Sequence, residues 1–339
     1  MPTSRSTAKT TFRGFTQQVA RACGLLSRRE HAVSHCLRVL TYHRVLPDSE
    51  CREYPFASLV TPLSAFRSQM MWLEACYHVI PLGECVLKTG AAAVTRKRPY
   101  VCVTFDDGYA DNYTLASPIL NELNLRATFF ITTGFIAGGT MLWFDRAAEH
   151  WRRTTPVERR RAAEFAALSV AEANVDSFPD WMAFLKRCPP AVRLQIVGEG
   201  VDSRDAYRAM AIAQLQDLHR RGHEIGSHTV SHPLLSQMTD SELQDELEQS
   251  RSVLHKWLGE APAGICYPNG DHDDRIVAAA LRAGYRYGCT TERGVNRWPL
   301  DAMRLRRIHI DPRRVTRGES QHDELGFRAE LCLLGGPRC

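Results

Sequence analysis

The sequence predicts an α/β fold, a barrel of the (β/α) type. Three observations carry this. Short apolar runs rich in β-branched and aromatic residues recur along the chain. Segments with apolar residues at helical spacing separate them. About seven such strands can be counted. The chain has 339 residues, 44% hydrophobic and 24% charged, an ordinary globular composition with length enough for a large core.

The elements follow in chain order. Residues 1–10, rich in Ser, Thr, Lys and Arg, show no periodicity and read as disordered. Residues 11–27 place Phe12, Phe15, Val19 and Cys23 near one helical face, an amphipathic helix able to rest on a surface. The core begins at 36–45, where Leu37, Val39 and Leu40 make a strand ending in Thr41-Tyr42-His43. Ser64 is placed to cap a helix carrying Phe66, Met70, Leu73 and Cys76. Residues 78–82 read as a short strand, 100–105 as a buried strand, 113–123 as a helix and 127–132 as a strand. Residues 145–205, rich in Arg, Ala and Glu, break the rhythm and read as a helical insertion. Alternation resumes with helices at 212–221 and 243–258 and strands at 223–226, 263–267, 285–290 and 305–310. The domain thus spans 36–315, with a leading tail at 1–35 and a trailing one at 316–339.

Charge and cysteines narrow the function classes. The net charge is +5, with basic residues scattered or in short runs such as Arg159 to Arg161. No aromatic-interleaved basic stripe is present, which argues against nucleic acid. An anionic substrate or a membrane surface stays open at this mild charge. The eleven cysteines are odd in number and lack CxxC spacing. Cys102, Cys266 and Cys289 sit in apolar segments and read as reduced, buried hydrophobes, which favours a reducing compartment. No apolar run approaches the roughly 20 residues that span a bilayer, and no clean signal-peptide pattern is seen. The expected location is cytoplasmic, or peripheral at the inner face of the membrane. Oligomeric state is not indicated.

The chemistry concentrates at two places. The strand at 100–105 ends in Asp106-Asp107-Gly108, where the turning chain lets both carboxylates reach one cleft. His228 and His232 flank a strand-to-loop corner between Gly226 and Pro233. Taken alone, the first reads more readily as an Asp-Gly turn, and the second as two surface histidines no less than as ligands. Together, one carboxylate and two imidazoles form a common three-ligand set for a divalent ion, with a position left for water. Asp106 would then be free to take a proton from that water. Asp111 and Asn112 either line the cleft or, preferably, cap the next helix. Trp143 either offers its ring to a ligand or packs to anchor the insertion, with packing preferred.

Thr104-Phe105-Asp106-Asp107-Gly108-Tyr109 and His228-Thr229-Val230-Ser231-His232 resemble the first two motifs of the polysaccharide deacetylases, the NodB-homology carbohydrate esterases. Order and strand-end placement match, over roughly residues 36 to 312 less the insertion. The resemblance implies a distorted (β/α) barrel and metal-dependent removal of acetyl groups from N-acetylated sugars. It implies Asp106 as base and Asp107, His228 and His232 as ligands of a divalent metal, Zn2+ first, with other divalent ions open. Cys266-Tyr267-Pro268-Asn269-Gly270 resembles the third motif, in which Tyr267 would lend a backbone N–H to the oxyanion. The usual arginine two residues before the proline is replaced by Cys266, so Asp106 needs another partner. Arg304 and Arg307, on a late strand, are the candidates, and Arg307 is carried forward. The family's general acid is a histidine in a Leu-x-x-His or Leu-x-His motif. His43, after Leu40, is preferred over His309 because it falls at a strand end, as in the circularly permuted exopolysaccharide deacetylases. The implied partner is an N-acetylated glycan or glycolipid. A deformylase or amidase acting on a lipid-linked sugar or small amide, and a non-catalytic carbohydrate-binding protein, are the alternatives.

Overall fold

The structure, a computed structural model, describes residues 24–89, 98–138, 141–166, 175–198, 207–317 and 321–334. The expected disorder at 1–10 and most of the amphipathic segment 11–27 lie outside the described residues. A helix is described at Leu25–Ala32.

Eight strands form the central sheet: β1 (Arg38–Tyr42), β2 (His78–Val79), β3 (Tyr100–Phe105), β4 (Thr128–Ile131), β5 (Glu224–Ser227), β6 (Gly264–Cys266), β7 (Tyr287–Arg293) and β8 (Leu305–His309). Seven of them close into a parallel barrel in the order β1-β8-β7-β6-β5-β4-β3, with β3 returning to β1 and β2 pairing alongside β3. Parallel strands buried on both faces need continuous apolar runs, and all six residues of β3 are buried. The register sets Thr41 beside both Thr104 and His309. The C-terminal ends of β1, β3 and β8 therefore lie side by side, where a barrel carries its chemistry. The core is dense with aromatic rings: Phe105 stacks on Phe129 at 4.8 Å, and Tyr42 meets Phe66 edge-on at 5.3 Å.

Several elements differ from expectation for local reasons. The helix Leu63–Cys76 begins after Pro62, and Ser64 does not cap it; its hydroxyl donates to the Asp48 carboxylate. The long helix starts at Asp240, three residues early, because Thr239 and Glu242 form a capping box. A π-helical turn, Asn112–Ala116, precedes the helix Ser117–Glu122. The segment between β4 and β5 carries helices Trp143–Arg153, Pro156–Ala166, Phe178–Arg187 and Pro190–Val197. These bury a separate apolar cluster around Trp181, Phe184 and Leu185. The segment after 316, expected as a tail, contributes the helix Glu324–Leu331 to the barrel. Phe327 and Leu331 join the main core, and the buried Glu330 pairs with Arg293 at 2.8 Å. Cys102, Cys266 and Cys289 are buried and free. Among the described residues, no helix is long and apolar enough to cross a membrane.

One buried histidine ties the fold to pH. His223 is 2% exposed, and its Nδ1 accepts the Ala127 N–H at 3.1 Å, a role open only to the neutral ring. Burial, with Arg221 and Arg126 adding to it, pushes its pKa down to about 4. The unfolded chain takes up this proton near pH ~6.5, whereas the native chain resists it. This share of stability is therefore complete above the unfolded value and is lost as pH falls towards 4, by on the order of 3 kcal/mol. His223→Gln should remove that share of the acid-side loss. Urea midpoints at neutral and acid pH check this; an unchanged gap between them would refute it.

Candidate active site

The C-terminal strand ends open into a cavity of about 460 Å3 that brings together His43, Asp106, Asp107, His228, His232, Tyr267, Arg307 and His309. Asp106 follows β3, held by its N–H to Tyr42 O at 3.1 Å, and is 2% exposed. Arg307 grips its carboxylate from β8: Nη1 donates to Oδ1 and Nη2 to Oδ2, each at 2.8 Å. Arg307 is itself buried and donates its Nε–H to Thr290 O. Arg304 lies outside β8 and pairs with Asp274 at the surface. Burial alone would raise the Asp106 carboxyl. The guanidinium, with His228 nearby, outweighs burial and holds it well below the usual carboxylate range.

Asp107 takes a left-handed φ of 77°, as do Thr229 (66°), His232 (55°) and Asn269 (56°). Such positions each cost of order 1–3 kcal/mol and persist only where the surroundings hold them. Here the surroundings do. The Glu246 carboxylate, on the long helix, accepts the Val230 and Ser231 N–H groups at 2.8 and 3.2 Å. Thr133 and Gly134 donate to Thr229 O and Val230 O. Glycine is required at 134, because a Cβ there would stand 2.6 Å from Val230 O. Trp143 donates its indole N–H to His232 O at 3.0 Å, and the Phe144 ring packs edge-on against His232.

Asp107 Oδ1 lies 3.5 Å from His228 Nε2 and 3.6 Å from His232 Nε2. His228 Nδ1 is 2.7 Å from Cys266 O, which can only accept. That contact puts the proton on Nδ1 and leaves the Nε2 lone pair facing Asp107. Asp107 Oδ2 is buried without a hydrogen-bond partner among the described residues. Burial and the adjacent Asp106 charge raise the Asp107 carboxyl well above its ordinary value. Three donor atoms within 4.8 Å of one another, around an unpartnered buried carboxylate oxygen, fit a divalent ion. Asp106, His228 and Cys266 form a second group. It fits less well, because Asp106 is engaged by Arg307 and burial keeps the Cys266 thiol protonated.

His43 follows β1, with Nε2 3.8 Å from Asp106 Oδ2. Burial pushes its pKa down to about 3 against the pull of Asp106, so the ring is neutral near pH 7. His309 is a ring neighbour at 5.5 Å, but its Nε2 is engaged with Ser58 O at 2.9 Å. Asp111 does not cap a helix. Its carboxylate accepts Arg44 Nε–H at 2.7 Å and the Val45 N–H at 2.9 Å, while Asn112 donates to His43 O at 2.8 Å. These two residues fix the chain around His43, a role that sequence shows only through their nearness to the first motif.

The third motif requires a correction. The Tyr267 N–H donates to Cys289 O at 3.0 Å, continuing the β6–β7 ladder, and is not free for an oxyanion. Tyr267 serves as a wall instead, its hydroxyl on Met303 O. Pro268 has no N–H, so the next donor is Asn269, whose N–H has no acceptor among the described residues. Asn269 borders the cavity, with its O accepting from Thr291 and its Oδ1 from Lys186. The left-handed Asn-Gly turn after a proline was the readable signal.

A buried carboxylate clamped by an arginine, beside an Asp-His-His cluster at the mouth of a parallel barrel, has the make-up of a hydrolytic centre. The polysaccharide deacetylase family profile matches residues 93–288, more than half of the chain, and the chain belongs to that family. It is a deacetylase of the carbohydrate esterase type. The Bacillus subtilis protein YxkH, whose name assigns it to the polysaccharide deacetylases, is 22% identical over 280 residues, 81% of this chain and 72% of its own length. The Streptococcus pyogenes deacetylase PplD, solved with acetate, aligns with a TM-score of 0.57 at 21% identity, over 82% of this chain and 93% of its own. IcaB from Ammonifex degensii aligns with a TM-score of 0.55 at 18% identity over the same shares. At these identities the structural likeness is one of fold.

Proposed function

We propose that this deacetylase removes the N-acetyl group from an amino sugar in a glycan or its lipid-linked precursor, using a divalent ion, zinc first among candidates, held by Asp107, His228 and His232. The observation that carries this reading is the ionised, arginine-clamped Asp106 standing between that cluster and His43 in one cavity. Bound there, the ion would acidify a water and polarise the acetyl carbonyl. Asp106 accepts the proton of the attacking water, and Arg307 keeps its carboxylate charged and aimed. The Asn269 N–H supplies a backbone donor for the oxyanion. His43 is neutral at rest, so it acquires its proton within the cycle. Asp106 Oδ2, 3.8 Å from Nε2, is the nearby source. His43 then protonates the departing amine, leaving acetate and a free amino sugar.

Acetate release from N-acetylated oligosaccharides should vanish on chelation and return with one added divalent ion. Asp106→Asn should lower turnover about a hundredfold to ten-thousandfold with metal content unchanged. Release that ignores chelation would remove the metal from this reading. Release of formate from N-formylated sugars with no acetate from any N-acetylated glycan, or release of nothing from either, would remove the substrate.

A further inference from the structure

The catalytic cavity has a neighbour of about 450 Å3, lined by Trp151, Arg152 and Phe178 of the insertion and by Arg52, Glu53 and Pro55 of the loop after β1. The same three elements line both cavities. Helix Trp143–Arg153 places Phe144 in the catalytic cavity and Ala148, Trp151 and Arg152 in the second, at i, i+4, i+7 and i+8 on one face. Helix Phe178–Arg187 runs the other way, with Phe178 in the second cavity and Met182 and Lys186 in the catalytic one. The loop does the same with Pro55 and Phe56. Aromatic rings continue across the join: Phe144 to Phe56 at 5.9 Å, Phe56 to Phe178 at 5.3 Å and Phe178 to Trp151 at 5.8 Å. Seven helical residues span about 10 Å, the length of roughly two linked hexoses.

We propose that the second cavity is a carbohydrate subsite, holding a further sugar unit of the glycan chain whose N-acetyl group lies at Asp106 and Asp107. This rests on the glycan reading above. A sugar ring has an apolar C–H face and a rim of hydroxyls. Trp151 and Phe178, both half-buried, offer aromatic surface for the face, while Arg52, Arg152 and Glu53 offer donors and acceptors for the rim. The Arg159 guanidinium lies 3.6 Å from the Trp151 ring centre and holds the indole in place, so the ring loses little freedom on binding. The insertion thereby reads glycan length beside a barrel that performs the chemistry.

The test follows acetate release along a series of N-acetylated oligosaccharides, from the monosaccharide to the hexamer. In the wild type kcat/KM should rise with length. In Trp151→Ala it should stay flat, equal to wild type on the shortest substrate and about tenfold lower on the hexamer. Arg152→Ala, at a half-exposed side chain whose partner Glu149 keeps its contacts to Arg153 and Tyr207, should raise KM for the hexamer several-fold at constant kcat. A wild type indifferent to length, or losses equal at every length in both variants, would overturn the subsite while leaving the glycan reading intact. If the wild type releases no acetate from any member, the deacetylation reading fails, and calorimetric titration with the uncleaved N-acetylated hexamer decides the subsite. Binding that weakens in Arg152→Ala would keep it; no binding, or equal binding, would end it.

Discussion

Arg307→Met should abolish deacetylation and lower stability by about 3–5 kcal/mol, the usual cost of leaving one member of a buried pair alone. Asp106 is 2% exposed and Arg307 3%, and both oxygens of the carboxylate are bonded by the guanidinium. With the arginine gone, burial drives the Asp106 carboxyl upward, and a protonated acid cannot accept the water's proton. Arg307→Lys keeps a charge without the paired geometry and should recover part of the stability and little of the turnover. Adding Asp106→Asn to Arg307→Met removes the stranded charge and should restore stability without activity. Urea midpoints and acetate release on wild type, Arg307→Met, Asp106→Asn and the double variant give a double-mutant cycle. An Arg307→Met protein with wild-type midpoint and turnover would remove the clamp from the mechanism.

His43→Ala carries the other large effect. It should bind metal and fold normally yet lose about a hundredfold to ten-thousandfold in turnover. The loss should shrink on an activated acetyl ester, whose leaving group departs without a proton. Asp106→Asn should be impaired on amide and ester alike, because the water still needs a base. His309→Ala should be mild, since its Nε2 is engaged by Ser58 O. An inactive, metal-bound His309→Ala beside an active His43→Ala would move the acid to β8.

The fold was legible because a parallel barrel hides both faces of each strand, so its strands stand out as apolar runs. The carboxylates and histidines were legible because they punctuate those runs at the ends where a barrel opens. Other contacts were not, and each for its own reason. Arg304 and Arg307 look alike in sequence. Only the start of β8 at Leu305 and the alternation along it, with Arg306 out and Arg307 in, separates them. Tyr267 was assigned an N–H that the ladder register gives to Cys289. Asp111 met a buried arginine instead of a helix end. The early start of the helix at Asp240 was written in Thr239-x-x-Glu242, a signal that apolar periodicity overlooks. The insertion was read as helical, but its reach to His232 through Trp143 and to Asn269 through Lys186 depends on packing, which carries no local mark.

The Asp106–Arg307 pair joins residues 201 positions apart, across the seam where β1 sits between β3 and β8. A contact of that span forms only after the intervening loop entropy has been overcome. On the ribosome, β3 and both carboxylates emerge long before β8. Until that last staple docks, the nascent chain carries the Asp106 carboxylate unaimed and unclamped. On the mechanism proposed above, hydrolytic power would therefore switch on only with ring closure.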